Sequence, residues 1–280
     1  MGDRQIKRLA NLICCPLFII FSITLLFPAC QQERVQPDRY QILKTPVPVS
    51  DRLQKERYYT LYLPAAKNKT IPMIVYFHGV MSPGFKNSPA LKNYSGSPVE
   101  ETGLIQFCKQ RKIALLVPKT AYTFKFQHYK AHGWSPFEKE SDGIEKMIDA
   151  VINKYAIDRK GVYLYGISAG AVLTHHLASR RPDRYNAILS HSQGYTTDAG
   201  KILQPKDQKH KFGVVICYTR KDYDNLIKNS HQTYENYLKL KYKAILLKNL
   251  PPDSHRWDNG SNLRFWNFVQ KVGQYSGAKK

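Results

Sequence analysis

Apolar runs of three to seven residues recur along this chain, separated by longer stretches with a helical hydrophobic period. Runs this short, with few polar interruptions, are typical of strands in a parallel sheet that is covered on both faces. Between two of them, Ile144, Met147, Ile148 and Val151 have the i, i+3, i+4, i+7 spacing of an amphipathic helix. The alternation predicts one doubly wound α/β domain. The predicted strands cover residues 71–77, 113–117, 162–165, 187–189, 212–218 and 243–247.

The pattern differs at the start of the chain. Residues 57–63 alternate between apolar and polar side chains, which predicts a half-exposed first strand. Residues 31–50 are polar, contain Pro37, Pro46 and Pro48, and follow neither a helical nor a strand period, so we interpret them as a tether. We therefore expect the α/β domain to occupy residues 51–280.

Residues 1–30 have the parts of a targeting segment: a basic front, an apolar stretch and a small-residue exit that ends at Cys30. This pattern predicts export, with the domain held outside the cytoplasm at a membrane. Residues 26–30 resemble a bacterial lipobox, in which Cys30 would be acylated. An uncleaved anchor or an ordinary signal peptide is the alternative, since the apolar stretch is close to the roughly 17 residues that span a bilayer.

The chain carries 43 Lys and Arg against 21 Asp and Glu, which gives a net charge of +22. These basic residues are dispersed, and no motif of a DNA- or RNA-binding protein accompanies them, so nucleic acid is not the expected partner. A basic solvated surface is the first interpretation of the charge. Attraction to anionic lipid head groups is the second.

One segment combines the end of a strand, a tight turn and the start of a helix. Gly166-Ile167-Ser168-Ala169-Gly170 follows the predicted strand 162–165 and precedes a helical stretch. Glycines two positions to either side of a serine let strand and helix pass closely, which is the requirement of a nucleophile elbow. The turn would hold the Ser168 hydroxyl above the sheet. The Ala169 N–H, at the helix N-terminus, would donate to an oxyanion.

Ligands of such a sheet lie beyond the carboxyl ends of its strands, so the residues after each run are candidates for a site. His78-Gly79-Val80 follows the strand 71–77. Gly79 would let this loop fold back, and the Val80 N–H would join that of Ala169 in holding an oxyanion. His191 follows the strand 187–189, and we expect it, with His78 and Gly79, to line the substrate pocket.

A carboxylate and a histidine follow the last two predicted strands in the order that this fold requires after Ser168. Asp222 lies in the loop after residues 212–218, with Asp224 as the alternative and Asp198 as the next carboxylate to test. His255 follows residues 243–247 and is the expected general base. An aspartate in this loop would accept the Nδ1–H of the histidine and fix its tautomer.

The other histidines carry weaker signals. His175 and His176 lie on the helix after the elbow and are interpreted as packing or surface residues. His128 and His132 are four apart, but their aromatic, glycine-broken context is not helical, so we expect no metal site there.

Two cysteines remain in the predicted domain. Cys108 lies in a helical pattern and Cys217 in a strand pattern, so both are expected to be buried free thiols rather than a disulfide.

With these motifs in place, the chain resembles an α/β-hydrolase of the feruloyl esterase and polyhydroxybutyrate depolymerase type, from about residue 59 to residue 268. It departs from the usual pattern at Ala171 and Thr219, where glycines are normally found. The matching motifs are His78-Gly79, Gly133-Trp134, Asp142-Gly143-Ile144, residues 155–159, residues 162–171, Asp222 and His255.

The resemblance implies a serine esterase with Ser168, Asp222 and His255 as its triad, acting on a small-molecule or polymeric ester without metal or organic cofactor. Residues 122–137 are rich in aromatic side chains, including Trp134, and would supply walls for the acyl or alcohol group. The alternatives are an amide hydrolase of the exopeptidase type and a catalytically silent surface-binding lipoprotein.

Overall fold

The computed structural model describes residues 41–47, 57–64, 69–84, 96–120, 122–126, 128–251 and 254–273. The predicted targeting segment at residues 1–30, with Cys30, lies outside these ranges. Among the described residues, no helix has both the length and the apolar character to cross a membrane.

Ten strands and five α-helices make up the described part of the chain, and most coincide with the predicted runs. The strands are β1 Gln41–Val47, β2 Arg57–Leu63, β3 Ile71–Phe77, β4 Ala114–Pro118, β5 Tyr122–Phe126, β6 Tyr129–Gly133, β7 Ile157–Ile167, β8 Ala187–His191, β9 Gly213–Thr219 and β10 Ala244–Leu250. The helices are α1 Leu104–Arg111, α2 Phe137–Lys154, α3 Ala169–Arg180, α4 Asp224–Lys239 and α5 Asn262–Val272.

Eight of these strands form one sheet in the order β1-β2-β4-β3-β7-β8-β9-β10. The pairs from β4 to β10 are parallel, whereas β2 runs antiparallel to both β1 and β4. The predicted mostly parallel sheet of a single α/β domain is therefore confirmed. All carboxyl ends of the parallel strands meet at one edge, and the loops there carry the candidate site residues.

Helices cover the sheet on both faces, as a doubly wound domain requires. Strand β7 shows why: Val162 and Leu164 pack on the side of α2, α3 and α4, while Tyr163, Tyr165 and Ile167 pack on the side of α1 and α5. All five are fully buried. Burial of each such side chain contributes about 1.5–3 kcal/mol to the free energy of unfolding, so β7 holds the turn that follows it in a fixed position.

The structure corrects three details of the sequence-based prediction. The tether assigned to residues 31–50 contains a strand, because β1 pairs with β2 over seven residues from Gln41 to Val47. Strand β2 is half-exposed only in its first half: Tyr58 is 43% exposed, whereas Tyr62 is buried in the cluster that includes the side chains of α1. Strand β10 is the opposite case: it is the last strand of the sheet, and most of its residues are only partly buried or exposed rather than covered on both faces.

Strands β5 and β6 form a separate antiparallel hairpin, which the sequence pattern did not predict as such. It is joined to the loop after β3 by reciprocal hydrogen bonds between Met81 and His132, with N–O distances of 2.9 and 2.8 Å. The hydroxyl of Ser82 also donates to the Lys130 carbonyl at 2.8 Å. The hairpin is therefore held against the loop that carries His78 and Val80.

Candidate active site

Ser168 occupies the turn between β7 and α3 in a strained backbone conformation, with φ 56° and ψ −120°. A Cβ on Gly166 would overlap the carbonyl oxygen of Gly170, and a Cβ on Gly170 would overlap that of Phe77. Both positions therefore require glycine, for the steric reason predicted from the sequence. The Ser168 N–H donates to the His191 carbonyl at 2.8 Å, which fixes the turn against the end of β8.

Asp222 and His255 form a buried hydrogen-bonded pair. The His255 Nδ1–H donates to Asp222 Oδ1 at 2.7 Å, and both residues are 8% exposed. Asp222 Oδ1 also accepts the Tyr223 N–H at 3.0 Å. With Nδ1 donating, His255 Nε2 carries the lone pair, which is the tautomer a general base needs.

The electrostatic environment keeps Asp222 ionised. Burial alone would raise the pKa of this carboxyl, but the hydrogen bond from His255, the nearby Ser192 hydroxyl and the neighbouring imidazoles outweigh burial. The pKa of Asp222 therefore lies below its ordinary value. Its second oxygen, Oδ2, is buried and has no hydrogen-bond partner within normal distance among the described residues.

Two hydrogen bonds join the loop of Asp222 to the loop of His255. The Thr219 hydroxyl donates to the Ser254 carbonyl at 2.9 Å, and the Arg220 N–H donates to the Leu250 carbonyl at 3.0 Å. Thr219 is the position at which the sequence departs from the usual glycine. Its hydroxyl therefore connects the acid loop directly to the residue before His255.

Val80 and Ala169, the predicted oxyanion-hole residues, each have a backbone N–H without a backbone acceptor among the described residues. The neighbours of Val80 both donate to backbone carbonyls, Gly79 to Gly96 at 2.7 Å and Met81 to the hairpin, whereas the Val80 N–H has no backbone acceptor in the described part of the chain. Ala169 begins α3, where the first N–H groups have no partner within the helix. The two residues pack in one small apolar cluster.

His78, Gly79 and Trp134 lie beneath this loop rather than on an open pocket wall. His78 is 6% exposed, its Nδ1–H donates to the Gly79 carbonyl at 2.6 Å, and its ring packs on Trp134 with 4.8 Å between centroids. The Trp134 indole N–H donates to the His78 carbonyl at 2.6 Å. Burial lowers the pKa of His78 to about 4, so it is neutral at pH 7. These residues support the loop that carries Val80.

His191, which was also predicted to line the pocket, is buried like His78. It ends β8, paired with Ile167 and Cys217, and is fully buried with its ring stacked on Trp257 at 5.2 Å. Its Nδ1 is hydrogen-bonded to the Ser192 hydroxyl at 2.8 Å. Burial lowers the pKa of His191 to about 3; the charge of Asp222 acts in the opposite direction, and that of His255 in the same direction. His191 is thus a buried neighbour of Asp222 and His255.

Aromatic residues near the site divide into two groups. Phe124 and Tyr129 of the hairpin pack against the cluster of Val80 and Ala169, next to the elbow. Trp134 and Phe137 belong to the main core, so the predicted aromatic wall applies to the hairpin alone. Tyr223, which the sequence pattern did not indicate, is 46% exposed and lies with its ring 5.3 Å from that of His255.

The two alternative acids, Asp224 and Asp198, have no hydrogen bond to His255. Asp224 is exposed in the first turn of α4. Asp198 accepts hydrogen bonds from the Ser135 hydroxyl at 2.5 Å and from the Phe137 N–H at 3.3 Å, at the start of α2. Asp222 is thus the one of the three with a hydrogen bond to His255.

The remaining candidates are structural. His175 is fully buried and His176 stacks on Phe137, in agreement with packing roles. Cys108 and Cys217 are free and buried, as predicted. His128 and His132 lie on the hairpin, so their spacing is not helical, and no group of three or more metal-binding side chains occurs within the described ranges.

Comparison with known sequences assigns this chain to a family. Residues 57–211 match the family described as Esterase PHB depolymerase, over more than half of the chain. The chain belongs to this family. The resemblance seen in the motifs is therefore confirmed, and with it the α/β-hydrolase fold of an esterase. No curated protein matches the sequence.

Solved structures share this fold at low identity. A thermostable esterase superposes with a TM-score of 0.59 at 16% identity, over 83% of this chain and 63% of that chain. Carboxyl esterase 2 from the mycorrhizal fungus Tuber melanosporum gives a TM-score of 0.59 at 15% identity, over 85% and 89%. A structure assigned to dipeptidyl aminopeptidase IV from Bacteroides ovatus gives 0.59 at 12%, over 83% and 36%. This chain thus spans less than two thirds of the first and third proteins, and the likeness is one of fold.

Ser192 and Thr219 are the polar site residues that sequence reasoning missed. Ser192 has a positive φ of 59°, follows the predicted pocket residue His191 and bonds it through its hydroxyl. A polar residue directly after a buried strand of this sheet was the available signal, because that position lies at the edge where ligands bind. Thr219 carried a second signal, as a departure from the family pattern.

Proposed function

We propose that this member of the Esterase PHB depolymerase family is an exported, membrane-tethered serine hydrolase that cleaves carboxylic esters through an acyl-enzyme. The observation that carries the proposal is the buried Asp222–His255 hydrogen bond at the edge of the sheet where Ser168 stands in a nucleophile elbow. These are the parts of a serine triad in the chain order of this fold.

In the first half of the reaction, His255 Nε2 accepts the proton of Ser168 as its Oγ attacks the ester carbonyl carbon. The Asp222 carboxylate stabilises the imidazolium that forms and prevents the ring from turning. His255 then gives the proton to the leaving alkoxide, and an acyl-Ser168 ester remains. Water repeats the sequence with His255 as base and releases the carboxylic acid.

The developing oxyanion would be held by the N–H groups of Val80 and Ala169. Neither donor has a competing backbone acceptor in the described structure, and the N-terminal end of the α3 dipole favours negative charge at the same place. Removing one such donor from an enzyme of this kind costs about 10²–10³-fold in kcat.

The proposal is tested with a soluble ester and a Ser168→Ala variant. Wild-type protein should hydrolyse 4-nitrophenyl butyrate, and the variant should lose at least about 10⁴-fold in kcat, because oxyanion and binding contributions alone survive. A Ser135→Ala variant, which lacks a hydroxyl outside the proposed triad, is the control. Activity of Ser168→Ala within tenfold of the wild type would reject the serine mechanism.

Amide hydrolysis is the second candidate, because a Ser–His–Asp triad cleaves amides as well as esters. Amide hydrolysis is supported by the fold shared with the peptidase structure, whereas the family match favours ester hydrolysis. An amino-acid 4-nitroanilide run beside the ester decides between the two. A kcat/KM for the anilide above that for the ester would favour the peptidase. Absence of turnover with both substrates would favour the silent lipoprotein.

Tethering rests on the basic front, apolar stretch and small-residue exit of residues 1–30. Mass spectrometry of membrane-extracted protein from a bacterial host is expected to find an N-terminus at Cys30 that carries acyl chains. An intact Met1 or Gly2 would instead support an uncleaved anchor. Protein recovered in the cytoplasm with its first residues intact would reject export.

A further inference from the structure

Two lysine-rich segments that are distant in the sequence lie side by side near the starts of β9 and β10. Residues 206–211 precede β9, and residues 238–243 end α4 and precede β10. The side chains of Tyr242 and Lys211 each donate to a backbone carbonyl of the other segment, at 2.9 and 2.6 Å. The fold therefore gathers into one lysine cluster residues that are dispersed along the chain: Lys206, Lys209, Lys211, Lys239, Lys241 and Lys243.

The lysine cluster has a large excess of positive charge. Asp207 is the one acidic residue in either segment, and it pairs with Lys211 at 3.0 Å. The other five lysines are exposed, and none of them has a carboxylate within ion-pair distance among the residues that the structure describes. Like charges gathered on one surface repel one another, so an anionic partner would stabilise this surface.

Stabilisation of α4 accounts for only part of this charge. Lys239 and Lys241 lie at the C-terminus of α4, where the helix dipole favours cations. Lys241 has a φ of 58°, a conformation that glycine adopts without strain and lysine does not. Lys206, Lys209 and Lys243 lie outside the helix. The helix dipole therefore does not explain the positions of these three lysines.

An exposed apolar side chain lies within the same surface. Leu238, in the last turn of α4, is 44% exposed and directly precedes Lys239. Lysines around an exposed leucine suit the head-group boundary of a membrane, where ammonium groups meet lipid phosphates and the apolar side chain enters the boundary. A nucleic acid would match the charge but not the leucine. The chemistry of the surface thus favours anionic lipid.

The proposed tether would keep the lysine cluster near a bilayer. Ten residues lie between Cys30 and Gln41, the first residue of β1, and they span at most about 40 Å. Strands β1 and β10 are the two ends of the eight-stranded sheet, about 34 Å apart at 4.8 Å per strand. The reach of the tether is therefore comparable with the width of the sheet, so an anchor at Cys30 allows this surface to meet the head groups.

The lysine cluster and the proposed acid lie at opposite ends of one strand. Strand β9 begins at Gly213, beside the cluster, and ends at Thr219, after which the loop of Asp222 begins. Its seven residues, at about 3.3 Å each, separate the two ends by about 20 Å. A lipid surface against the cluster would therefore leave the loop of Asp222 directed away from the bilayer.

We propose that the lysine cluster is a docking surface for anionic lipid head groups, and that it orients the tethered domain with the loop of Asp222 directed away from the bilayer. The inference rests on the proposed tether and not on ester hydrolysis. It is carried by five exposed lysines without an ion-pair partner in the described ranges, by the exposed Leu238, and by the position of both at the end of β9 opposite to Asp222.

Acetylation of lysines in vesicles tests which surface meets the lipid. The full chain is reconstituted in phosphatidylcholine vesicles with or without about 30% phosphatidylglycerol and treated with a water-soluble acetylating reagent. Mass spectrometry measures the rate at each lysine. Two pairs of exposed lysines compare opposite ends of one element: Lys239 with Lys228 on α4, and Lys243 with Lys248 at β10.

Phosphatidylglycerol should slow the acetylation of Lys239 and Lys243 by about threefold or more. High salt should remove this protection, because it screens the attraction between the ammonium groups and the lipid. Lys228 and Lys248 should keep their rates within about 1.5-fold. Unchanged rates at Lys239 and Lys243, or stronger protection of Lys228 and Lys248, would overturn the proposal.

A charge-reversed variant tests the lysine cluster itself and retains Lys239 as the reporter. Protection of Lys239 by phosphatidylglycerol should be lost in this variant and kept in a control with the same change in net charge. Loss in both would show that net charge rather than the cluster attracts the lipid, and would overturn the proposal. The variant carries Lys206→Glu, Lys209→Glu, Lys241→Glu and Lys243→Glu, and the control carries Lys125→Glu, Lys130→Glu, Lys228→Glu and Lys248→Glu, all at exposed positions.

Hydrolysis of 4-nitrophenyl butyrate in the same vesicles separates the surface from the proposed function. We expect kcat/KM to agree within about twofold with and without phosphatidylglycerol, because the bilayer does not cover the site. A fall of more than about fivefold would overturn the orientation. Absence of hydrolysis in every vesicle would reject the proposed function and leave the acetylation result valid.

Two further results would count against the proposal. Protein that does not float with phosphatidylcholine vesicles would reject the tether, and with it the orientation of a tethered domain. Protection of Lys239 by duplex DNA but not by phosphatidylglycerol would assign the lysine cluster to a nucleic acid and overturn the lipid surface.

Discussion

The rings of two buried histidines, His175 on α3 and His191 at the end of β8, lie on opposite faces of the sheet, and each is hydrogen-bonded to a serine hydroxyl. His175 contacts Ser190 and His191 contacts Ser192, both with an N–O distance near 2.9 Å (2.9 and 2.8 Å). Burial lowers the pKa of each to about 3, so both are neutral at pH 7. The two clusters differ in how completely their hydrogen bonds are satisfied.

The His175 cluster is closed. The Ser190 hydroxyl donates to the Gln193 carbonyl at 2.6 Å, so it accepts from His175 Nε2–H. His175 Nδ1 is then the acceptor of the Tyr237 hydroxyl at 2.9 Å. Each ring nitrogen has its partner and one tautomer is fixed. Such a fully satisfied buried network stabilises one packing arrangement.

The His191 cluster is open. His191 Nε2 and Asp222 Oδ2 are buried and have no hydrogen-bond partner among the described residues. If His191 Nδ1–H donates to the Ser192 oxygen, the Ser192 proton remains available for Asp222. Two buried polar atoms at the proposed acid thus lack a hydrogen-bond partner among the described residues, whereas the corresponding network on the other face of the sheet is complete.

The largest expected effect separates the proposed acid from its neighbour. Asp222→Asn should lower kcat for 4-nitrophenyl butyrate by about 10⁴-fold, because His255 would lose the partner that fixes its tautomer. The matched variant Asp224→Asn, at an exposed position two residues later, should cost less than about tenfold. Comparable losses in both variants, or a larger loss in Asp224→Asn, would contradict the assignment.

Removal of a bond from the closed cluster should reduce stability instead of activity. Tyr237→Phe leaves His175 Nδ1 as a buried acceptor without a donor, which costs about 1–3 kcal/mol in the free energy of unfolding. The control is Tyr234→Phe, on the same helix at a partly buried position. Urea unfolding measures the stability, and kcat should stay within about threefold. A large loss of kcat with unchanged stability would place the His175 cluster in the reaction.

The buried histidines also predict how stability depends on pH. Burial lowers the pKa of His78 to about 4 and those of His175 and His191 to about 3. Below about pH 6.5 the unfolded chain therefore binds protons that the folded chain excludes, and stability falls as the pH falls towards those values. Each histidine contributes up to about 1.4 kcal/mol per pH unit.

Urea unfolding at pH 7, 6 and 5 measures this slope. His175→Gln should reduce it by about one histidine's share, whereas His210→Gln, at an exposed position, should leave it unchanged. A slope that is the same in wild type and His175→Gln would show that His175 does not exclude a proton in the folded state.

The smallest effect concerns the open cluster. Loss of the Ser192 hydroxyl should lower kcat by about tenfold and raise the pKa of Asp222, which NMR titration of the Asp222 carboxyl carbon measures. Two variants separate the hydroxyl from the backbone. Ser192→Ala keeps the φ of 59° at the same strain as the wild-type serine, whereas Ser192→Gly relieves roughly 1 kcal/mol of it. An equal rise in the pKa of Asp222 is expected in both. A rise in the glycine variant alone would indicate a change in the backbone rather than loss of the hydroxyl.

The parts of the fold that the sequence could predict depend on local rules. Gly166 and Gly170 indicated the elbow because the steric requirement for glycine is set by the turn itself. The strands β3, β7, β8 and β9 were recognisable because burial on both faces leaves apolar runs. Asp222 was the preferred acid from its position after β9, and its hydrogen bond to His255 agrees with that choice.

What could not be predicted depends on contacts between distant parts of the chain. Pro37, Pro46 and Pro48 marked residues 31–50 as a tether, yet residues 41–47 pair with β2, because strand pairing is decided by the partner. His191 was expected to line a pocket, but Trp257, 66 positions later, covers its ring. The bond from Thr219 to Ser254 likewise joins loops that sequence alone does not bring together.

The most direct test of the account is the site of covalent labelling by a fluorophosphonate. We expect the probe to modify the wild type at Ser168, identified by mass spectrometry of the peptide that contains residues 160–180. Labelling should be absent in Ser168→Ala, strongly slowed in His255→Ala and Asp222→Asn, and unchanged in Tyr237→Phe. An adduct on another serine, or wild-type labelling rates in His255→Ala, would contradict the proposal that Ser168 is activated by the Asp222–His255 pair.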